Sequence, residues 1–256
     1  MGQVSIRFYA ELNDFLPLEK RQVPFTHPAD GRTTIKDLIE ALGVPHTEVD
    51  LILVNGESVG FSYLVQNGDR ISVYPVFESF DITPLLQVRP QPLREIRFVL
   101  DVHLGRLAAY LRMLGFDALY QNDYDDDVLV RLSTAERRTL LTRDRSLLKR
   151  NAITHGYYVR ETRPVQQLVE VLQRFDLCGA IAPFQRCLRC NDLLEPVAKE
   201  TIADLLPPRT RISFNEFHIC RTCDKIYWKG SHYQRMLQLI ERLRRGDTEP
   251  VPHETQ

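Results

Sequence analysis

Residues 96–117, IRFVLDVHLGRLAAYLRMLGFD, decide the fold of the larger part of this 256-residue chain. The apolar run 96–100 predicts a buried strand that ends at Asp101. Gly115 is a typical stop for the helix that follows. The helical spacing itself is carried by Leu104, Leu107, Ala108, Leu111 and Leu114. A buried strand followed directly by an amphipathic helix is the repeating unit of a parallel sheet.

The same alternation of strand and helix continues to about residue 175. Short strands are predicted at 118–120, 138–142 and 157–160, and helices are predicted to begin near residues 128, 146 and 164. This order predicts an α/β domain over residues 95–180, in which helices cover both faces of a parallel sheet.

Two Cys-x-x-Cys pairs follow this domain with 29 residues between them, namely Cys187 with Cys190 and Cys220 with Cys223. Two residues between cysteines let both thiolates of a turn reach one metal ion, and two such turns supply the four sulfur ligands of a structural zinc site. The pattern predicts a zinc ribbon over residues 181–245 that includes a basic terminal helix. A flexible tail is expected at 246–256.

The first 80 residues have a different organisation. A half-buried strand begins near Val4, a second strand is predicted at 21–26, and a helix follows Thr33 or Thr34. Further strands at 51–54 and 70–76 accompany two turn signals, VNGE at 54–57 and NGDRI at 67–71. This ββαββ order resembles the β-grasp, or ubiquitin-like, fold, and most closely its sulfur-carrier branch.

The resemblance to sulfur carriers extends to the fold and not to their chemistry. Sulfur carriers end in a Gly-Gly whose free carboxylate is activated, whereas here the chain continues without that dipeptide. The fold leaves open a bound protein partner or a scaffolding role. Residues 81–94 contain three prolines and are interpreted as a linker. We therefore expect residues 1–80 to be a separate module that is dispensable for the chemistry of the following domain.

Composition and charge limit the possible functions. The apolar fraction of 43 % is sufficient for real cores, and the five cysteines, four of them in metal-ligand spacing, favour a cytoplasmic protein. We find no signal peptide and no apolar run long enough to span a membrane. Residues 1–80 carry 6 basic and 11 acidic side chains, a balance of −5, whereas residues 186–245 carry 12 and 7, a balance of +5. The basic surplus therefore favours the cysteine-containing segment as the binding surface for a polyanion such as nucleic acid. The alternative is that its basic side chains are ordinary solvated charges.

Carboxylates follow each of the predicted parallel strands. Asp101 follows the first strand, an acidic run at 123–127 follows the second, and Asp144 follows the third. Ligands bind at the carboxyl ends of parallel strands, and carboxylates that converge there repel one another unless a cation such as Mg²⁺ or Mn²⁺ is bound. Such cations are used in phosphodiester hydrolysis. Asp125 or Asp126 could also cap the helix near residue 128, and capping does not prevent metal binding.

Five segments carry a resemblance to a known nuclease family. FVLDVHLGRLA (98–108), LRMLGFD (111–117) and LTRD (141–144) are similar to the PIN-like ribonuclease domain. With RCLRCN (186–191) and CRTCDKIYWKGSH (220–232), they resemble the family named after the C-terminal region of the mutator-type exonuclease proteins. That family joins a PIN-like nuclease to a zinc ribbon, and some members carry a β-grasp module in front. The expected fold is thus α/β: a ubiquitin-like β-grasp, a PIN-like parallel-sheet nuclease domain and a zinc ribbon.

The resemblance, which spans roughly residues 95–240, implies a metal-dependent ribonuclease. It implies Asp101 and Asp144 as the principal carboxylates, with Asp125 as the middle acid and Asp126 the next choice. Asp117 and Glu136 are the candidates for a fourth acid.

Four further residues are candidates for RNA binding. Arg106 and Arg143 flank the predicted site and could bind phosphate or neutralise a carboxylate. Trp228 could stack on RNA bases or fill the core of the ribbon. Arg235 belongs to the basic helix, which we expect to contact phosphates.

Two functions of different class follow from these features. The first is a ribonuclease with structural Zn²⁺ and catalytic Mg²⁺ or Mn²⁺ that binds RNA, with a possible protein partner at the β-grasp and no membrane association. The second is a catalytically inactive RNA-binding or adaptor protein that uses the β-grasp and the ribbon for docking. The carboxylates at the strand ends favour the first, since an adaptor has no need of them.

Overall fold

The computed structural model describes residues 2–75, 88 and 96–244. They fall into two compact units: unit 1 contains the described residues of Met1–Ile96 and Asp125–Tyr158, and unit 2 contains those of Arg97–Tyr124 and Val159–Gln256. The predicted linker, apart from residue 88, and the predicted tail lie outside the described residues.

The strands, in chain order, are β1 (Gly2–Phe8), β2 (Phe25–Ala29), β3 (Leu51–Val54), β4 (Glu57–Ser58), β5 (Arg70–Tyr74), β6 (Phe98–Leu100), β7 (Ala118–Leu119), β8 (Thr139–Thr142), β9 (Gly156–Tyr158), β10 (Glu195–Val197), β11 (Phe217–Ile219) and β12 (Ile226–Trp228). The helices are α1 (Ile35–Ala41), α2 (Gly105–Met113), α3 (Asp126–Ala135), α4 (Arg145–Leu148), α5 (Pro164–Arg174), α6 (Lys199–Ile202), α7 (Pro208–Ser213) and α8 (Ser231–Arg244).

Unit 1 begins with a five-stranded sheet in the order β2-β1-β5-β3-β4. Its central strands β1 and β5 are parallel, and their outer neighbours β2 and β3 pair with them in antiparallel fashion. With α1, whose Ile35, Leu38 and Ile39 belong to the buried core, this is the predicted ubiquitin-like β-grasp. The predicted second strand at 21–26 is wrong in position. The chain is still turning there, with Gln22 at a φ of 58°, and β2 begins at Phe25.

Local sequence signals explain the ends of these elements. The Thr34 hydroxyl accepts the N–H of Asp37 at 3.1 Å and donates to the Asp37 carboxylate at 2.6 Å, which caps α1. Asn55 and Gly56 have φ values of 54° and 95°, as required by the tight turn that joins β3 to β4. Both signals were predicted from the sequence, and both are confirmed.

The rest of unit 1 holds α3, β8, α4 and β9. Strands β8 and β9 are parallel, with Leu140 opposite Gly156 and Thr142 opposite Tyr158, and α4 lies between them in the chain. This part packs on the β-grasp, since the Tyr158 ring meets Phe15 edge-on with centroids 5.4 Å apart. The N-terminal module therefore contacts this segment, and its dispensability for the chemistry of the following domain stays a prediction.

Unit 2 begins with strand β6 and helix α2, which were predicted from residues 96–117. The three residues of β6 are fully buried, and β6 pairs in parallel with β7, with Phe98 opposite Ala118. Helix α2 connects the two strands and buries Leu107, Ala108 and Leu111. The predicted strand–helix–strand unit is confirmed here and again in β8–α4–β9.

The C-terminal part of unit 2 is a small antiparallel sheet in the order β10-β11-β12. Helices α6 and α7 occupy the long gap between the two cysteine pairs. They supply Ile202 to a small core that also contains Leu206 and Phe217, with Trp228 packed against it. The chain is thus a mixed α/β protein of the predicted class, with a ubiquitin-like module, parallel strands and a C-terminal cysteine cluster. Within the described part of the chain, we find no helix with both the length and the apolar character to cross a membrane.

Gly115, which ends α2, provides a test of this packing. Its φ is 97°, and a Cβ atom at this position would collide with the carbonyl oxygen of Ala182. Gly115→Ala should therefore lower the free energy of unfolding by at least about 1 kcal/mol. Gly179→Ala is the matched control, because a Cβ there meets no atom within 4 Å. Urea denaturation measures both; equal stabilities of the two variants would contradict the observed geometry.

Candidate functional site

The four paired cysteines meet at one point of unit 2. Their Sγ atoms all lie within 4.8 Å of one another, and the Sγ atoms of Cys190 and Cys220 are 3.3 Å apart. None of the cysteines forms a disulfide, and those at 187 and 220 are buried. Four thiol sulfurs at this spacing could hold a zinc ion.

The two cysteine turns are built in the same way. In each turn, the N–H of the first cysteine donates to the carbonyl of the residue two beyond the second cysteine, Asp192 or Lys225. The residue directly after the second cysteine is Asn191 or Asp224, with a φ of 75° or 56°. Asn and Asp tolerate this left-handed conformation better than other non-glycine residues. The turns thus hold their sulfurs through backbone geometry.

The surroundings of the sulfurs separate their proton affinities. Burial would raise the pKa of Cys187, but the Tyr227 hydroxyl at 3.1 Å and the N–H groups of Cys190 and Arg189 lower this pKa to about 6. Burial raises the pKa of Cys190 to about 12. Cys187 is therefore the first thiolate of the group, and a metal ion that binds here displaces the remaining protons.

The first cysteine turn is bonded to the edge of β7. The Asn191 side chain accepts the N–H of Ala118 at 2.9 Å and donates to the Asp117 carboxylate at 2.8 Å. Arg186 also pairs with Asp117, at 3.4 Å. The carbonyl of Asp117 accepts the N–H of Phe98, which begins β6, whereas Asp101 follows the other end of that strand. As a candidate fourth acid, Asp117 thus lies at the wrong end of β6 and is used by the ribbon.

Arg112 was not predicted as a functional residue, yet it joins three parts of unit 2. It is only 3 % exposed. Its guanidinium donates to the carbonyls of Ala118 and Tyr120, around β7, at 2.8 and 3.2 Å. It also donates to the carbonyls of Leu188 and Arg189, in the first cysteine turn, at 3.1 and 2.9 Å. Burial lowers the pKa of Arg112, while the nearby Cys187 and Cys190 act in the opposite direction. The only signal in the sequence is its position at the margin of the apolar face of α2.

Two of the predicted catalytic aspartates have different environments. Asp101 is buried, 8 % exposed, directly after β6, and its carbonyl accepts the N–H of Leu104 in a short 3₁₀ turn. Asp144 is exposed after β8 and caps α4, where its carboxylate accepts the hydroxyl and the N–H of Ser146 at 2.6 and 2.7 Å. The Ser146 hydroxyl bond is the main reason that the pKa of Asp144 lies below its ordinary value. Asp144 is thus held as a carboxylate.

The acidic run after β7 is shared between capping and ion pairing. Asp125 caps α3 by accepting the N–H of Val128 at 2.8 Å, the structural role weighed for it. Asp126 and Asp127 pair with Arg150, at 3.2 and 2.5 Å. Arg150 was missed in the sequence because it lies more than 20 positions from the run.

The remaining candidates are placed as follows. Arg106 is exposed in the first turn of α2, and Arg143, half-buried, directly precedes Asp144. Glu136 pairs with Arg138 at the C-terminal end of α3, away from Asp125. Trp228 is half-buried and packs against the ribbon core, with its ring centroid 6.5 Å from that of Phe214, which supports its structural interpretation. Arg235 lies in α8, and its side chain is outside the described part of the chain.

Comparison with known families now identifies the chain. Residues 96–240 match the family described as the Mut7-C RNAse domain. The chain belongs to this family. Residues 1–81 match a second family, described as Mut7-C ubiquitin, so the module in front of the Mut7-C RNAse domain is ubiquitin-like. Both resemblances predicted from the sequence are confirmed.

Two solved structures are similar to part of the chain. They are SAMP1 from Haloferax volcanii, 18 % identical over 31 % of this chain, and small archaeal modifier protein 1 of H. volcanii, 17 % identical over 30 %. In each case all of that chain is covered, with a TM-score of 0.25. No curated protein matches the chain significantly.

Arg112 links the cysteine turn to the β-strands of this Mut7-C RNAse domain, and a substitution can test the link. Arg112→Met removes the donor from four carbonyls, of which that of Ala118 is buried and the other three are partly buried. We expect the free energy of unfolding to fall by about 3 kcal/mol or more, and the metal content of the cysteine site to fall with it. Arg106→Met, on the exposed side of the same helix, is the control. Chemical denaturation and elemental analysis measure the two effects; a stable Arg112→Met protein with a full metal content would exclude the linking role.

Proposed function

We propose that this Mut7-C RNAse domain protein is a metal-dependent ribonuclease that hydrolyses RNA phosphodiester bonds. The observation that carries the proposal is Asp101, a buried carboxylate directly after β6 within the segment that matches a ribonuclease family. Ligands bind at the carboxyl ends of parallel strands, and carboxylates that gather at such an end are stabilised by a bound cation. Hard carboxylate oxygens suit Mg²⁺ or Mn²⁺.

The other ligands in the proposal are Asp144 and an acid of the run after β7. Asp144 is kept ionised by Ser146, and its second oxygen can face a cation. Asp125 uses one carboxylate oxygen as a helix cap, and in the proposal its other oxygen binds the cation, whereas Asp126 is engaged by Arg150. Asp125 is therefore our choice for the middle acid, with Asp126 second. A divalent cation bound by carboxylates of this kind would activate a water molecule and stabilise negative charge on the leaving oxygen.

In the same proposal, basic side chains hold the RNA. Arg106 is exposed one turn beyond Asp101, and Arg143 is adjacent to Asp144, so both are suited to bind the phosphate next to the scissile bond. The ribbon, with its basic surplus and Arg235 in α8, would bind further phosphates without sequence preference. Trp228 would stack on an RNA base only through a face of its ring that is not packed against the ribbon core.

We further propose that the four-cysteine group holds a structural Zn²⁺ ion. Tetrahedral thiolate coordination suits zinc, and all four positions are filled by protein ligands, which is typical of structural sites. A thiolate site of this kind persists in a reducing compartment, which supports a cytoplasmic location.

Asp101→Asn tests the catalytic proposal. The substitution removes a hard ligand and one of several repelling charges, so the fold should be retained. Substitutions that affect a ligand only indirectly already cost about 10–100-fold, so we expect cleavage of labelled RNA to fall by at least about 100-fold. Asp144→Asn should behave alike, and Asp176→Asn, exposed after α5, is the control.

Two outcomes would count against the proposal. A well-folded Asp101→Asn protein that cleaves RNA at the wild-type rate would exclude Asp101 as a catalytic ligand. Wild-type protein that binds a panel of RNAs but cleaves none with Mg²⁺ or Mn²⁺ would favour the inactive RNA-binding alternative.

Elemental analysis of protein purified without added metal tests the zinc proposal. We expect about one zinc per chain, and its loss on Cys187→Ser or Cys220→Ser, because the remaining three ligands cannot close the coordination shell. Cys178→Ser should retain the metal, since Cys178 lies outside the group. Stoichiometric iron in place of zinc, or a wild-type protein with neither metal, would overturn this assignment.

A further inference from the structure

The segment that follows Asp144 lies against the ubiquitin-like module of unit 1. We call residues 144–158, with α4 and β9, the Asp144 segment. The Glu48 carboxylate of the module accepts the N–H of Tyr158 at 2.6 Å. The His46 Nε2 of the module donates to the carbonyl of Ile153 at 2.8 Å, because a carbonyl can only accept. With exposures of 1 % and 7 %, Glu48 and His46 are buried in this contact.

Glu40 extends these bonds through both its side chain and its backbone. The Nδ1 atom of His46 faces the Glu40 carboxylate at 2.6 Å. The backbone carbonyl of Glu40 accepts the ammonium group of Lys149, from the Asp144 segment, at 2.7 Å. Two backbone groups and one ammonium group of the Asp144 segment thus form hydrogen bonds with one patch of the module.

The contact reaches the neighbour of Asp144. The guanidinium of Arg145 lies 4.9 Å from the ring centroid of Phe15, in the module, and 5.4 Å from that of Tyr158, in β9. The two rings also meet each other edge-on. The residue that follows the proposed metal ligand is therefore held between an aromatic ring of the module and one of the segment.

We propose that the ubiquitin-like module is a positioning element of the nuclease, which orients Asp144 by holding the Asp144 segment. Phe15, His46 and Glu48 are its positioning residues. This inference rests on the proposed function, in which Asp144 binds the catalytic cation. A module needed only for stability would be served better by apolar packing, because buried charged groups pay a large desolvation cost. Directional bonds to backbone groups instead fix one arrangement of the segment.

The size of the expected effect follows from the geometry of catalysis. A displacement of about 1 Å at a reacting group can cost about 100-fold in rate. Loosening the Asp144 segment should therefore act on the affinity for the cation and on the rate, and not on RNA binding by the ribbon.

Glu48→Ala in the full-length chain is the test. We expect the Mn²⁺ concentration for half-maximal cleavage to rise by about 10-fold or more, with faster amide hydrogen exchange in the Asp144 segment. Glu48→Gln is the rescue variant, because its amide oxygen still accepts the Tyr158 N–H, and its Mn²⁺ requirement should stay near that of the wild type. Glu57→Ala, exposed on β4 of the same module, is the charge control and should change neither property.

If Glu48→Ala fails to fold, Arg145→Ala takes its place, since Arg145 is exposed and its loss removes only the contact with the two rings. Arg145→Lys retains a cation over them and should be less affected. A folded Glu48→Ala or Arg145→Ala protein with a wild-type Mn²⁺ requirement overturns the positioning role, whether or not exchange in the segment is faster. Asp144→Asn distinguishes the positioning role from the proposed catalytic function. Wild-type cleavage by this variant would overturn the role of Asp144 in catalysis. Amide hydrogen exchange in the Asp144 segment still reports whether the module holds the segment.

Discussion

Unit 2 depends on the bonds of one buried guanidinium, that of Arg112. Its donors bond the carbonyls of Ala118, in β7, and Tyr120, directly after β7, and two carbonyls of the first cysteine turn. Lysine could not replace it, because a single ammonium group lacks the planar fork that reaches carbonyls in three directions. Burial lowers the pKa of this cation, and the sulfurs at 187 and 190 counteract part of that effect. Four thiolates around a Zn²⁺ ion would carry a net negative charge beside it. The cysteine cluster and the Arg112 guanidinium thus interact electrostatically with each other.

The same network continues toward Asp101. Arg112 holds the carbonyl of Tyr120, and the Tyr120 hydroxyl donates to the carbonyl of Val102, the residue after Asp101, at 3.0 Å. Gly105 permits this approach, because a Cβ atom there would lie 2.6 Å from the Tyr120 hydroxyl. The ribbon is therefore bonded to the turn that carries the buried carboxylate. A boundary at residue 181, drawn from the sequence, separates segments that these hydrogen bonds join.

Features encoded by neighbouring residues could be predicted from the sequence, and features that depend on distant pairings could not. The Asn55-Gly56 turn, the strand 98–100 and the two cysteine turns each follow from a few adjacent residues. Arg112 and its partner in the cysteine turn are 76 positions apart in the sequence, and Glu48 and Tyr158 are 110 positions apart. No local sequence pattern therefore predicts either contact. The packing of residues 1–80 against the Asp144 segment could not be predicted for the same reason. A proline-bearing linker indicates a break in the chain's secondary structure, but it does not indicate what the preceding module packs against.

The chemistry of carboxylates explains why a nuclease of this kind would need support from parts outside its sheet. Carboxylates that share a cation repel one another whenever the cation is absent, so each ligand tends to move away from the others. A short 3₁₀ turn after Asp101 and a helix of four residues after Asp144 offer little resistance on their own. In unit 2 the Arg112 network reaches the first turn from the ribbon, and in unit 1 the ubiquitin-like module holds the segment after the second. Burying a charged group costs desolvation free energy. A fold that places such groups beside each proposed ligand gains a fixed geometry that apolar packing alone would not specify.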